Sequence, residues 1–257
     1  MILPSMHATI RTQFEKHLVG EMPVPMPEDE DEPIEEMSSP TVAVINIEGI
    51  IGKRLGMLET MCGGCDVDIV SEAIDLVETD PNITDVIFYI NSPGGTVTGV
   101  PELAAKIAEL GKNKRTWAFV DVMAASAAYY MASQVSAGIY CTPSSDLGSV
   151  GVYSIYLDES VALSNAGIKV NAISAGKEKL DGASFQPMSD ETRAKFQADV
   201  DKIYVAFKAA VTSKRNIKDE DLQGQVFDGQ DSVMRGFADG NVNSMNELLA
   251  FVAGQQK

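Results

Sequence analysis

Ser126 stands among alanines in the run Val122-Met123-Ala124-Ala125-Ser126-Ala127-Ala128-Tyr129-Tyr130-Met131-Ala132, between a strand-like apolar stretch at 117–120 and a helix-like one. A serine where a strand turns into a helix has its hydroxyl at the helix N-terminus. Backbone N–H groups and the positive end of the helix dipole there favour a developing oxyanion. Serine is also a favoured N-cap residue, so its position alone does not separate a nucleophile from a cap. A second motif bears on the choice. Asn91-Ser92-Pro93-Gly94-Gly95 closes a continuous apolar strand at 86–90, at the C-terminal strand end where α/β sheets place their sites. One N–H from Gly94 and one from Ala127 would then point at a single oxyanion, and the Pro-Gly-Gly turn lets another chain approach closely.

A nucleophilic serine needs a base. The chain has two histidines, His7 and His17, both far upstream, which leaves no place in the core for a Ser-His-Asp triad or a Cys-His pair. Lysine is the remaining nitrogen base. A strand-like run at 169–173 leads into Ser174-Ala175-Gly176-Lys177-Glu178-Lys179-Leu180-Asp181-Gly182. Lys177 and Lys179 face the same side by alternation, so periodicity leaves both as candidates. An ordinary lysine titrates near 10.4 and must fall by roughly 3 units to accept a proton near neutrality. Glu178 and Asp181 oppose that fall, so such a base must be desolvated and surrounded by neutral hydroxyls. Ser149, in Gly148-Ser149-Val150-Gly151, is the candidate neutral partner.

These residues need a frame. Strand patterns at 42–47, 86–90, 116–120, 138–141 and 169–173 alternate with helical patterns at 67–77, 97–110, 126–132 and 160–166, which predicts an α/β fold with a largely parallel sheet covered by helices. From 190 the pattern is helical: one long amphipathic stretch to about 215, then shorter helices at 219–223, 230–236 and 243–252. Residues 1–40 read as a flexible acidic, Pro-rich extension with a short helix at 11–19, and 41–257 as the folded domain.

Composition narrows the partners. The net charge is −17, which argues against nucleic acid or an anionic membrane surface. Seven of the acids lie in Glu28-Asp29-Glu30-Asp31-Glu32, Glu35 and Glu36, and the remainder still carries −10. The three cysteines, Cys62, Cys65 and Cys141, do not form a disulfide framework. Cys62-Gly63-Gly64-Cys65 has half the spacing of a zinc site without its second half, so neither metal nor cofactor is expected. With no apolar run near the ~20 residues needed to span a bilayer and no signal-peptide pattern, a cytoplasmic protein is expected.

The motifs Asn91-Ser92-Pro93-Gly94-Gly95, Ala125-Ser126-Ala127-Ala128-Tyr129-Tyr130-Met131-Ala132, Gly148-Ser149-Val150-Gly151-Val152, Ala175-Gly176-Lys177-Glu178-Lys179 and Gly224-Gln225-Val226-Phe227-Asp228-Gly229 occur in this order. Together they resemble the signal peptide peptidase (protease IV) family of Ser-Lys serine proteases over about residues 41–240. The resemblance implies a crotonase-like or Clp-protease-like α/β spiral, assembled into a homo-oligomeric ring. It implies Ser126 as nucleophile, Lys179 as base, the Gly94 turn as part of the oxyanion hole, and Ser149 as hydrogen-bond partner of the lysine. Membrane-bound members carry an N-terminal anchor that is not seen here. The Ser-Ala-Ala-Tyr form, Lys179-Leu180-Asp181-Gly182 and the missing anchor look closer to the phage prohead protease branch, which cleaves scaffold and capsid proteins. The implied function is a serine endopeptidase acting on peptides or unstructured proteins, in the cytoplasm or inside a phage prohead, with the extension as a self-processing or docking segment. The alternatives are a crotonase-type acyl-CoA enzyme, which leaves Ser126 and Lys179 unexplained, and a ring-forming scaffold that has lost the chemistry.

Overall fold

The computed structural model describes residues 41–255. The expectations for 1–40 (the extension, its helix, the acidic run and both histidines) lie outside the described residues. The described chain divides into two compact units, one formed by 41–151 and 207–255, the other by 152–206.

The first unit is built on a seven-stranded sheet of order β1-β4-β5-β6-β9, with β7 paired to β5 and β8 paired to β7. Its strands are β1 (Val42–Glu48), β4 (Asp85–Ser92), β5 (Arg115–Ala125), β6 (Gly138–Cys141), β7 (Asp146–Gly148), β8 (Val226–Asp228) and β9 (Gly240–Asn241), while β2 (Ile51–Gly52) and β3 (Cys65–Asp66) form a separate two-stranded ladder. Every pairing is parallel except β7 with β8. The α/β class and the mostly parallel sheet are therefore as the alternating pattern predicts. Val86, Ile87, Phe88 and Ile90 of β4 are all fully buried, because a parallel strand in the middle of a sheet is covered on both faces and has no polar side to show.

The helices of this unit are α1 (Met57–Met61), α2 (Val67–Thr79), α3 (Val100–Asn113), α4 (Ala127–Ala132), α7 (Gly229–Arg235) and α8 (Met245–Gly254). Asp66 caps α2 by accepting the Asp68 N–H at 2.9 Å, and the apolar positions Val67, Val70 and Ile74 fall on one buried stripe. In α3 the stripe is Val100, Leu103, Ala104, Ile107 and Leu110; burying each of its large aliphatics contributes about 1.5–3 kcal/mol. On the sheet, α8 packs Leu248 and Val252 against Val42, Ile87, Trp117 and Phe119.

The second unit holds α5 (Ser160–Asn165) and most of α6 (Asp190–Thr212), whose last residues belong to the first unit. The strand expected at 169–173 is not formed, and all its residues are exposed. Its alternating pattern satisfies β-propensity, but a strand exists only as a member of a ladder, and none of the described strands pairs with it. Loops here are tied by hydrogen bonds instead. Glu159 N–H donates to Ser184 O at 2.8 Å, Tyr156 Oη to Ala183 O at 3.1 Å, and Gln186 Nε2 to Leu180 O at 2.9 Å. No helix among the described residues is long and apolar enough to cross a membrane.

Candidate active site

The site begins with an irregularity in β5. Ile90 pairs with Val120 and Ser92 with Ala124, so two steps along β4 match four along β5. At this bulge β5 changes neighbour, pairing with β6 through 117–120 and with β7 through 123–125. A bulge bends its strand and re-aims the residues beyond the bend. Asp121 fixes the bend on both sides: its backbone O accepts Thr142 Oγ1 at 2.7 Å and its carboxylate accepts Tyr89 Oη at 2.9 Å. Burial, reinforced by that bond, pushes the Tyr89 phenol up, so it remains a donor at any working pH.

Past the bend lies Ser126, with φ 57° and ψ −118°. Among the described residues only Arg54, Ser126 and Ser149 have positive φ without being glycine. Such a conformation costs of order 1–3 kcal/mol and persists only where the surroundings hold it. Ser126 N–H donates to Gly148 O at 2.9 Å, and Ser126 O accepts the Tyr130 N–H at 2.9 Å. Helix α4 is anchored behind it: all six residues are buried, Tyr129 Oη donates to Phe237 O at 3.0 Å, and Tyr130 stacks on Phe207 with centroids 4.9 Å apart. The Ser126 side chain makes no capping bond to the helix. An N-cap has extended backbone and a hydroxyl turned onto the first-turn N–H groups; Ser126 has neither, so the capping explanation fails. The Ala127 N–H is one of the first-turn donors that a helix cannot satisfy internally.

The turn after β4 reaches the same end of the sheet, because Ser92 is in register with Ala124. Gly94 has φ 94°. Its N–H, expected to face an oxyanion, is donated to Ser92 Oγ at 3.1 Å, and Ser92 Oγ in turn donates to Gly49 O at 2.5 Å. The chain that approaches Gly95 is the protein's own: Ile51 N–H donates to Gly94 O and Thr96 N–H to Ile51 O, both at 2.9 Å. A Cβ on Gly95 would lie 1.8 Å from Ile51 O.

Ser149 comes directly after β7, one position beyond the pairing of Ala125 with Gly148, and so stands beside Ser126. It is buried, with φ 54°, and its N–H donates to Gln225 O at 2.6 Å. Gly94, Ser126, Ala127 and Ser149 are thus gathered at the C-terminal ends of β4, β5 and β7.

Lys179 belongs to the second unit, on a run of turns in which its N–H donates to Gly176 O at 3.2 Å; its side chain is exposed, so the desolvation expected of the base is not present in the single chain. Lys177 Nζ lies 3.2 Å from Glu191 Oε1, whereas Lys179 makes no ion pair among the described residues. Glu191 is held below the usual carboxylate range by its hydrogen bonds to Lys177 and Lys195. Lys195, on α6, contacts Glu178 Oε1 at 2.7 Å, Glu191 Oε1 at 3.3 Å and Asp181 Oδ2 at 3.5 Å. Sequence reasoning passed over Ser92 and Lys195. Ser92 sits inside the glycine motif itself, and Lys195 is four residues after Glu191 on a helix legible from its periodicity, a spacing that pairs opposite charges.

Residues 108–254, more than half of the chain, match the sequence profile of Peptidase family S49. That span includes Ser126, Ser149 and Lys179 but not Gly94. The chain is 28% identical over 210 residues to the Head-tail preconnector protein GP5 of Enterobacteria phage P21, covering 80% of this chain and 42% of that one. It is 26% identical over 210 residues to Capsid assembly protease C of Escherichia phage lambda, covering 80% and 48%. To Protease 4 of Salmonella typhi it is 26% identical over 204 residues, covering 77% and 32%. The chain spans less than half the length of each of these relatives.

Proposed function

The chain belongs to peptidase family S49, and on that premise we propose that it is a serine endopeptidase working through a Ser126–Lys179 dyad, with 41–257 as its protease domain. Lys179 accepts the Ser126 proton as Oγ attacks the scissile carbonyl, then delivers it to the leaving amine; water hydrolyses the acyl-enzyme on Ser126. The observation that carries this reading is the strained, buried Ser126 whose hydroxyl caps nothing. Preference for Lys179 over Lys177 rests on the engagement of Lys177 by Glu191. Ser149 is the neutral hydroxyl partner assigned to the lysine.

Ala127 and Gly94 N–H groups are the oxyanion donors in this reading. The Gly94 bond to Ser92 Oγ is to a neutral hydroxyl. An oxyanion is a charge-assisted acceptor, roughly twice as strong, and displaces it. Gly94 O and Thr96 N–H are taken by Ile51, so by strand alternation the N–H and C=O of Gly95 face the opposite edge, where an extended substrate adds as a β-strand. Backbone recognition of this kind suits an unstructured protein segment. Likeness to the phage lambda capsid assembly protease makes a phage-head scaffold or capsid protein the leading substrate. A ring of copies is part of the reading, supported by the exposed Ile155, Leu157, Ile168, Val170 and Ile173 of the second unit.

The test is labelling with a fluorophosphonate probe followed by peptide mass spectrometry. Modification of Ser126 alone is expected. An unlabelled Ser126 in a chain that cleaves protein, or a label on another serine, counts against the assignment.

A further inference from the structure

The first described residue, Thr41, is fastened to the sheet: its O accepts the N–H of Thr84 at 3.0 Å and of Asp85 at 3.1 Å, where β4 begins. Beside this anchor, at the N-terminal ends of β4 and β5, lies an open cavity of about 460 Å³ whose walls include Pro81, Ile83, Thr84, Lys112, Lys114 and Arg115. The wall Lys112-Asn113-Lys114-Arg115 puts three cations in four residues, a density found nowhere else in a chain of 20 basic and 37 acidic residues. These cations keep capacity for another acid. Lys114 Nζ donates to Asp80 O at 2.7 Å and Ile83 O at 2.6 Å, and these neutral carbonyls leave its charge uncompensated. Lys112 Nζ meets Glu109 Oε2 at 2.5 Å in an exposed i,i+3 pair, of a kind that contributes little and exchanges readily. Arg115 holds the buried Asp85 through Nη2 at 2.7 Å, while Nη1 donates to Gln255 O at 3.1 Å. Asp80, next to Pro81, turns its carboxylate onto the Asn82 N–H at 2.8 Å.

We propose that this cavity is the docking site of the chain's own acidic run, Glu28 to Glu36. Glu36 lies five residues before Thr41 and Glu28 thirteen, so fully extended chain carries them at most about 18 and 47 Å from the anchor. The run cannot leave the vicinity of the cavity, and its tether keeps it there at an effective concentration of order mM. Its seven carboxylates complement the three cations, and those in excess stay solvated. Arg115 opens β5 and Ser126 follows its end, roughly 30 Å apart along the strand. Docking therefore holds the run at the end of the sheet opposite the Ser126 of its own chain. The inference is independent of which lysine serves as base.

The test is zero-length cross-linking of the full chain with a carbodiimide, which joins a carboxylate to a lysine amine in contact, read by peptide mass spectrometry. Cross-links from 28–36 to Lys112 or Lys114 are expected at low salt, in a species that runs at monomer mass on a denaturing gel. They should fall at least 3-fold in 0.5 M NaCl, where the Debye length is about 4 Å. Lys112→Gln/Lys114→Gln should speed cutting within 28–36 by a Glu-specific protease about 3- to 10-fold at low salt. Should that variant fold poorly, replacing the seven acids by the matching amides leaves the described residues unaltered. It should raise acetylation of Lys112 and Lys114 by a similar factor, with the exposed Lys218 as the unchanged control. Cross-links chiefly to other lysines, or cutting and acetylation rates that do not move, overturn the inference. So do links to Lys112 and Lys114 found only in a covalent dimer, since they place the run on another copy.

Discussion

The backbone at Ser126 gives a prediction whose sign runs against ordinary substitution rules. Replacing Ser126 by alanine or by glycine removes the same hydroxyl, and that hydroxyl caps nothing. The two variants therefore differ in the Cβ alone. At φ 57° and ψ −118° a Cβ carries strain of about 1–3 kcal/mol, which glycine releases. Glycine loses about 0.5–1 kcal/mol through the greater freedom of its unfolded chain. The balance favours Ser126→Gly over Ser126→Ala by about 0.5–2 kcal/mol, or ~0.5 M in the urea midpoint for a slope of ~2–3 kcal/mol/M. Equilibrium urea unfolding followed by the fluorescence of Trp117, the chain's single tryptophan, measures it. Both variants should lack proteolytic activity, so stability and chemistry are read separately. If Ser126→Ala proves equal to or more stable than Ser126→Gly, the serine turn stores no strain and the reasoning from its conformation fails.

Three further outcomes are expected. Gly95→Ala drives a Cβ to 1.8 Å from Ile51 O and should cost about 2–3 kcal/mol; a thermal midpoint unchanged from wild type would show that the approach of Ile51 is not required. Cys62 is exposed, while burial pushes Cys65 up to about 11 and raises Cys141 as well. At pH 8 Ellman's reagent should therefore titrate one thiol promptly, lost in Cys62→Ser, and two prompt thiols would contradict the burial of Cys65. The exposed apolar residues of 152–206, Ile173 being fully exposed, should be covered in an assembly: sedimentation should give a multiple of 27.5 kDa, and a stable monomer would argue against a ring.

Much of the fold was legible because its signals are local. The short apolar runs at 86–90 and 117–120, rich in β-branched and aromatic residues and bounded by turn residues, read as strands covered on both faces, and the stripes of α2 and α3 repeat at helical spacing. The motif serine was legible for the same reason, as a polar residue in an alanine run at a strand-to-helix junction. The bulge in β5 was not, since it arises from the change of neighbour from β6 to β7, a tertiary fact with no signature in residues 121–123. The two-residue β9 and three-residue β8 are too short to show a period. Residues 169–173 failed in the other direction: their pattern is that of a strand, and the described chain offers no partner. The engagement of the Gly94 N–H by Ser92 Oγ and the reach of Lys195 to the turn at 178–181 depend on side-chain placement that spacing does not encode.

The central claim is that Ser126 and Lys179 act as nucleophile and base. Its most direct measurement is cleavage of a fluorescent unstructured protein by wild type, Ser126→Ala, Lys179→Ala and Lys177→Ala, each checked for native fold by circular dichroism. Loss of at least 10³-fold in the first two variants, the scale expected when a nucleophile or its base is removed, with Lys177→Ala within a few-fold of wild type, is the predicted result. Cleavage that survives in Ser126→Ala, or that depends on Lys177 and not on Lys179, would contradict it.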